Sequence, residues 1–273
     1  MKVLITGVSG FIGKRMYALL KRKGIYTHGV SRRRGDFKGK WISLDITDAK
    51  SLLSFVREER FDVIIHLGAL TKRRYGDIPA EQYFVVNVGG TENVLKAADE
   101  VGAKVIFAST AGIYTTSKHP YIESKRVAEK LCERHGAVVA RIFNVYGEEK
   151  GGGVIETLIR RAFNNEPLLV NRDQVRDFIY VEDVCRALWL LALRAEPGFY
   201  DVGTGIGRSI EEVAKLIKTL TGSYSSIEVR PAEPSISIAN VGPLKALGFK
   251  PEVKFEEGLR KVIKYMREKI KSR

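Results

Sequence analysis

Three residues near the middle of the chain have the types and spacing that proton transfer requires. Tyr121 and Lys125, in HPYIESK, stand four apart at the predicted start of a helix, so their side chains share one face. An ammonium beside a phenol favours the phenolate, and a cationic ring bound nearby would favour it further. The Tyr121 pKa is therefore expected to fall toward working pH, where the side chain can serve as acid and base. Thr110 directly follows the apolar run KVIFAS (104–109) and can bond the same reacting oxygen. A Y-x-x-x-K spacing alone is common by chance, and its weight here comes from what precedes it.

The first apolar run, KVLIT (2–6), leads straight into Gly7-x-x-Gly10-x-x-Gly13, after which the pattern turns helical, with Phe11 and Ile12 opening the helix. Glycines in that place allow a tight turn and close backbone approach to a pyrophosphate, while the helix N-terminus supplies unpaired N–H groups. A strand before, a helix after and a further strand beyond make this a dinucleotide fingerprint; the alternative is an ordinary strand–helix turn. About 20 residues on, such sites usually place a carboxylate on the adenosine ribose hydroxyls. Here that position holds Ser31, followed by Arg32, Arg33 and Arg34. A carboxylate would repel a 2′-phosphate, whereas a small hydroxyl leaves room for one and guanidinium groups grip it bidentately. The run favours NADP over NAD, against the alternative of a solvated basic loop, and Arg34 reads as a solvated neighbour. Asp45 and Ile46 close the third strand where an adenine edge would lie; Asp48 beside them reads equally well as a helix cap.

The elements that must position these residues alternate regularly. Short β-branched runs at 25–31, 41–45, 62–67 and 104–109 are separated by amphipathic stretches near 50–59, 80–101 and 121–134. This is the pattern of βαβ units on a parallel sheet buried on both faces. The predicted fold is α/β: a Rossmann-type doubly wound parallel sheet over residues 1–146, then a smaller α/β substrate-binding region over 147–273. The glycine-rich break GEEKGGG (147–153) marks the change, and a segment near 175–203 is expected to return to the first domain.

With these motifs in order, the sequence resembles the extended short-chain dehydrogenase/reductase family, the nucleotide-sugar epimerases and dehydratases. The resemblance spans the chain and rests on TGVSGFIG, DVIIHLGAL, NVGGTENVLKAA, STAGIY, YIESK, RIFNVYG, RDFIYVEDV and YDVGTG. It implies that Leu67, Gly68 and Ala69 line the cofactor, that Asn87 orders the active site, and that Phe143 lies near the nicotinamide. It implies a catalytic set of Thr110, Tyr121 and Lys125. It also implies that Asn144, Arg176 and Arg230 hold a substrate diphosphate. Bland readings remain beside these: Asn87 as a helix cap, Arg176 paired with Asp177 or Asp183, Arg230 as a solvated cation. A homodimer through the helices near 80–101 and 121–135 is a further implication.

The chain also departs from the family pattern. Ala111 and Gly112 stand where dehydratases carry an acidic pair, so elimination chemistry is not expected. The loop 114–121 is short, and LLVNRDQVRD lacks the usual glycine-rich turn before RDF. The leading reading is a UDP-hexose 4-epimerase-like enzyme working through a transient 4-keto-sugar. A rival is an NADPH-dependent reductase of a 4-keto-nucleotide sugar, using the same residues. From another class comes a non-catalytic dinucleotide-binding regulator or RNA-binding protein.

The formal charge of +14 over 273 residues suits an anionic partner. The basic residues are scattered and lack interleaved aromatics, so a nucleotide-diphosphate sugar is expected rather than nucleic acid. Scarce glutamine with abundant Lys, Arg, Glu and Ile resembles proteins that work hot. Cys132 and Cys185 lack metal-knuckle spacing, no metal site is expected, and the thiols suit a reducing compartment. No apolar run approaches the roughly 20 residues that span a bilayer, and the first residues are too soon broken by glycine for a signal peptide, so a cytoplasmic protein without membrane contact is expected.

Overall fold

A computed structural model describes residues 1–71 and 78–271. In chain order the elements are β1 (Lys2–Thr6), α1 (Phe11–Arg22), β2 (Tyr26–Ser31), β3 (Trp41–Ser43), α2 (Ala49–Glu59) and β4 (Val63–His66). After them come α3 (Ala80–Phe84), α4 (Gly90–Asp99), β5 (Lys104–Thr110), α5 (Pro120–Arg134) and β6 (Val138–Ile142). The remainder is β7 (Asn144–Tyr146), α6 (Val154–Phe163), β8 (Leu168–Asn171), β9 (Gln174–Tyr180), α7 (Val181–Arg194), β10 (Gly198–Val202), β11 (Gly207–Ser209), α8 (Ile210–Thr221), β12 (Ile227–Arg230), β13 (Ser235–Ser237), α9 (Gly242–Ala246) and α10 (Phe255–Lys271).

Seven strands form one sheet in the order β3-β2-β1-β4-β5-β6-β10. The register pairs Ile5 with both Gly29 and Ile65, and neighbouring strands from β3 through β6 all run parallel. This is the doubly wound arrangement expected, with the strand order reversing beside β1. Ligands of such sheets bind beyond the carboxyl ends of the strands at that reversal, where Gly7 and Gly68 lie. Local chemistry fixes the flanking helices. Asp48 caps α2 by accepting from Ser51 N at 3.1 Å, as its bland reading required. At the start of α5, Pro120 occupies the first turn and the His119 ring accepts from Tyr121 N.

The chain divides into two compact units: residues 1–142, 185–201 and 243–249, and residues 143–184, 202–242 and 250–273. The first holds the seven-stranded sheet, and one core cluster there joins Leu4, Ile64, Val94, Phe107 and Val139. In the second, Tyr146 packs against Phe178, Tyr180 and Phe255, and a Cβ on Gly258 would come within 2.3 Å of its hydroxyl oxygen, so that helix position must lack a side chain.

One element departs from its periodicity. The stretch 80–101 reads as a single helix, but a π-helical turn at Val85–Gly89 separates α3 from α4. A π turn inserts a residue without changing composition, and such turns gather at functional sites. Among the described residues no helix is long and apolar enough to cross a membrane.

Candidate active site

The glycine turn is built for close contact. Gly7 has φ +68°, and a Cβ there would lie 2.8 Å from Gly68 N; at Gly13 one would lie 2.4 Å from Gly7 O. Gly10 is the N-cap of α1 and supplies no side-chain cap, and no acidic residue stands in that helix's first turn. The first N–H groups of α1 are therefore left for an anionic ligand. Bare backbone, an uncapped helix start and no carboxylate fit a dinucleotide pyrophosphate, with Phe11 and Ile12 half-buried at the helix start and Leu67, Gly68 and Ala69 half-buried across from it.

At the end of β2, the Ser31 hydroxyl accepts from Trp41 Nε1 at 2.8 Å and donates to Arg33 O at 2.9 Å, which folds the following loop back on itself. Arg32 and Arg33 are exposed, and Arg32 Nε lies 4.0 Å from Asp45 Oδ2. Asp45 itself accepts from Thr47 N and Thr47 Oγ1, forming a local turn, while Ile46 is buried in the core. Arg34 is not merely solvated. Its Nε donates to Phe37 O at 2.9 Å, and its guanidinium lies over the Trp41 ring.

A buried chain of hydrogen bonds runs beneath the glycine turn toward Ser124 and Tyr121. Gly68 N donates to Thr6 Oγ1, which pairs with His66 Nδ1 at 2.6 Å, and His66 Nε2 pairs with Thr91 Oγ1 at 2.9 Å. Thr91 Oγ1 donates to Asn87 O at 2.6 Å, so its oxygen must accept from His66 Nε2–H, and Nδ1 accepts from Thr6. Burial, with Lys125 adding to it, holds the His66 pKa down at about 3, so the ring stays neutral. The Asn87 side chain, carried by the π turn, accepts from Leu70 N and donates to Leu70 O and to Ser124 Oγ at 2.9 Å. Ser124 Oγ in turn donates to Tyr121 O. Asn87 is therefore no helix cap; it ties the loop after β4 to α5. His66 and Ser124 stood inside motifs quoted for the family, but nothing local in the sequence announces a bond between residues 37 apart.

Thr110 and Tyr121 are neighbours, and Lys125 stands one helical turn beyond Tyr121 on α5. The Thr110 hydroxyl accepts from Gly112 N at 3.2 Å and lies near enough to the Tyr121 phenol to favour its ionised form. Lys125 is buried; its Nζ donates to Ala108 O at 2.6 Å and lies 4.2 Å from the Phe107 ring centroid. Burial lowers its pKa to about 8. One expectation is corrected here: burial raises the Tyr121 pKa, and only the Thr110 bond opposes it. The phenol sits in apolar surroundings beside Tyr83, so the fall expected from charge needs a cationic ring bound against it.

In the second unit, Phe143 is buried and its N–H donates to Val202 O, while Asn144 Nδ2 donates to Asp177 O at 3.2 Å. Arg176 pairs with neither Asp177 nor Asp183. Its guanidinium donates to Val175 O, Ser235 O and Gln174 Oε1, all neutral, so none of them cancels its charge. The two aspartates have other work. Buried Asp177 accepts from Thr204 and Gly205 N–H groups and holds the YDVGTG turn, and Asp183 accepts from Glu252 N and Val253 N. Arg230 is exposed at the end of β12, in register with Asn171 of β8. Among the described residues no group of three or more His, Cys, Asp or Glu side chains gathers as a metal site.

The NAD dependent epimerase/dehydratase family matches residues 3–203. The chain is 31% identical to the UDP-N-acetyl-alpha-D-glucosaminuronate decarboxylase of Bacillus cytotoxicus, over 98% of this chain and 98% of that one. The UDP-glucose 4-epimerase of Thermotoga maritima, solved with UDP-glucose, superposes with a TM-score of 0.89 at 25% identity, covering 99% of this chain and 100% of the other. That of Thermus thermophilus, solved with NAD, gives 0.83 at 26% identity over 98% and 99%. The glycine turn at a strand-order reversal and the Thr110–Tyr121–Lys125 set thus meet in a chain that belongs to the NAD-dependent epimerase/dehydratase family, an enzyme of the extended short-chain dehydrogenase/reductase type.

Proposed function

We propose that the protein is a nucleotide-sugar 4-epimerase acting on a UDP-hexose. The observation that carries this choice within the family is the turn after Thr110. Ala111 is buried and Gly112 has no side chain, so the turn carries neither of the carboxylates that the family resemblance assigns to water elimination. The glycine turn, with Leu67, Gly68 and Ala69, would hold the dinucleotide, which when bound would supply a hydride acceptor and donor for the sugar C4. Tyr121 takes the C4 hydroxyl proton as the hydride leaves and gives it back when the sugar has turned. Thr110 holds the same oxygen, and Lys125, as an ammonium, favours the phenolate. Asn144, Arg176 and Arg230 are assigned to the substrate diphosphate, whose binding energy retains the keto-sugar while it reorients.

The cofactor is proposed to be NADP, gripped through its 2′-phosphate by Arg33 and by Arg32 once that guanidinium turns from Asp45. This same feature favours the second reading, a reductase of a 4-keto-nucleotide sugar, since a reductase draws on NADPH. The protein is further proposed to work as a cytoplasmic homodimer, with exposed Phe84, Val85 and Val127 contributing to the interface. Incubation with UDP-glucose and a trace of NADP is expected to yield the C4 epimer with no net cofactor reduction. Tyr121→Phe should lower turnover by about 10²–10⁴-fold while cofactor still binds. Net NADPH oxidation on adding a 4-keto-sugar, without interconversion, would support the reductase instead.

A further inference from the structure

Behind the acid/base set lies a buried ion pair to which the mechanism above gives no role. Glu129 stands one helical turn beyond Lys125 on α5 and is 6% exposed. Arg141 on β6 donates to it from Nη2 at 2.8 Å and from Nε to both carboxylate oxygens at 3.2 and 3.3 Å. The Ser109 hydroxyl, next to Thr110, donates to Glu129 Oε1 at 2.5 Å. Arg141 Nη1 donates to the Tyr114 hydroxyl, which itself donates to Asp201 on β10 at 2.7 Å, and the guanidinium lies over the Tyr114 and Phe199 rings. One carboxylate and one guanidinium thereby tie together the strand end that carries Thr110, the turn after it and the helix that carries Tyr121 and Lys125.

Such a pair adds little to stability over an apolar pair of the same shape, because both charges leave water to form it. Its position relative to Lys125 suggests what else it does. The other titratable groups facing that ammonium are neutral at working pH: His66 on β4 stays unprotonated, burial pushes the Cys132 thiol up to about 12, and burial also raises the Tyr121 phenol. Burial drives Lys125 toward its neutral form; Cys132 when ionised, and then Glu129, oppose that, and with the thiol neutral at working pH the Glu129 carboxylate is the opposing charge that remains.

We propose that Glu129 and Arg141 are positioning residues: they hold Thr110 in register with Tyr121, and their fixed charges set the pH range over which Lys125 remains an ammonium. The proposal rests on the acid/base reading of Tyr121 and Lys125. The ammonium is the active form, so activity is lost as pH rises through the Lys125 pKa. Removing the anion lets that pKa fall, and removing the cation lets it rise.

The test follows kcat/KM for UDP-glucose against pH in the NADP-loaded enzyme, and in parallel titrates the Lys125 ε-carbon by ¹³C NMR. Glu129→Gln is expected to move the alkaline limb and the NMR midpoint down by on the order of one pH unit, and Arg141→Gln to move both up. Arg141→Lys keeps the charge and loses the bidentate grip, so kcat should fall with the limb unmoved. Should one neutral variant not fold, the other carries the test with its own sign. Limbs and midpoints that stay put, or failure of both neutral variants to fold, would mark the pair as merely structural and overturn the proposal. Undiminished turnover in Tyr121→Phe would instead sink the acid/base reading, whatever the pair does.

Discussion

At the scale of single residues, the sequence singles out Thr110, Tyr121 and Lys125, the proposed acid/base set, because their relation is local: a strand end, a helix start and a spacing of four. The raised Tyr121 phenol was not legible, because burial is set by Tyr83 and other groups distant in sequence. The partners of Arg176 were hidden for the same reason, since Ser235 reaches it only through the pairing of β9 with β13. His66 is the clearest case of a residue whose role appears only in three dimensions. An ordinary histidine titrates near 6.5, whereas His66 is held at about 3. Between those values the unfolded chain binds a proton that the folded one refuses, so stability is full above pH 6.5 and is lost as pH falls toward 3. The expected slope from this residue is roughly 1.4 kcal/mol per pH unit across that window. Urea denaturation of wild type and His66→Asn at a series of pH values checks it, and the variant should show the flatter profile.

At the scale of elements, the alternation of β-branched runs with amphipathic stretches placed β1, α1, β2, β4 and β5 correctly. It failed at 85–89, where one inserted residue widens the helix and turns Asn87 inward while leaving the composition helical. It also made β3 too long, since only Trp41–Ser43 pair with β2 before Asp45 turns the chain. The glycine turn yields a prediction at this scale. Gly13→Ala would place a Cβ 2.4 Å from Gly7 O and 2.7 Å from Val8 Cα, backbone atoms that cannot move aside independently. The β1–α1 turn must then open, which is expected to cost about 1–3 kcal/mol of stability. Cofactor affinity, read by calorimetry, should fall with it, whereas Gly24→Ala, which has open space but a φ of +69° that strains a side chain, should lower stability and leave binding unchanged.

At the scale of the whole molecule, the βαβ pattern made a doubly wound parallel sheet legible, and right-handed crossovers put its helices on both faces because the strand order reverses beside β1. How the later segments are shared was harder to read, because helix α7 contributes to both compact units and no composition change marks the crossing at 184–185. The charge of +14 is equally uninformative on its own; a phosphate-bearing substrate or cofactor accounts for its sign without nucleic acid. If Arg32 and Arg33 select the cofactor, NADP at a hundred times its Kd should stabilise the protein by about 2.7 kcal/mol. The same concentration of NAD should raise the melting temperature less, and Arg33→Ala should narrow the difference. The central claim, that a hydride leaves C4 and comes back to the same sugar while Tyr121 handles the proton, is tested most directly with UDP-glucose deuterated at C4. Both epimers should retain the deuterium, with none lost to solvent and none gained from it; a product that has exchanged its C4 label, or deuterium accumulating in a pool of free reduced cofactor, would contradict the account.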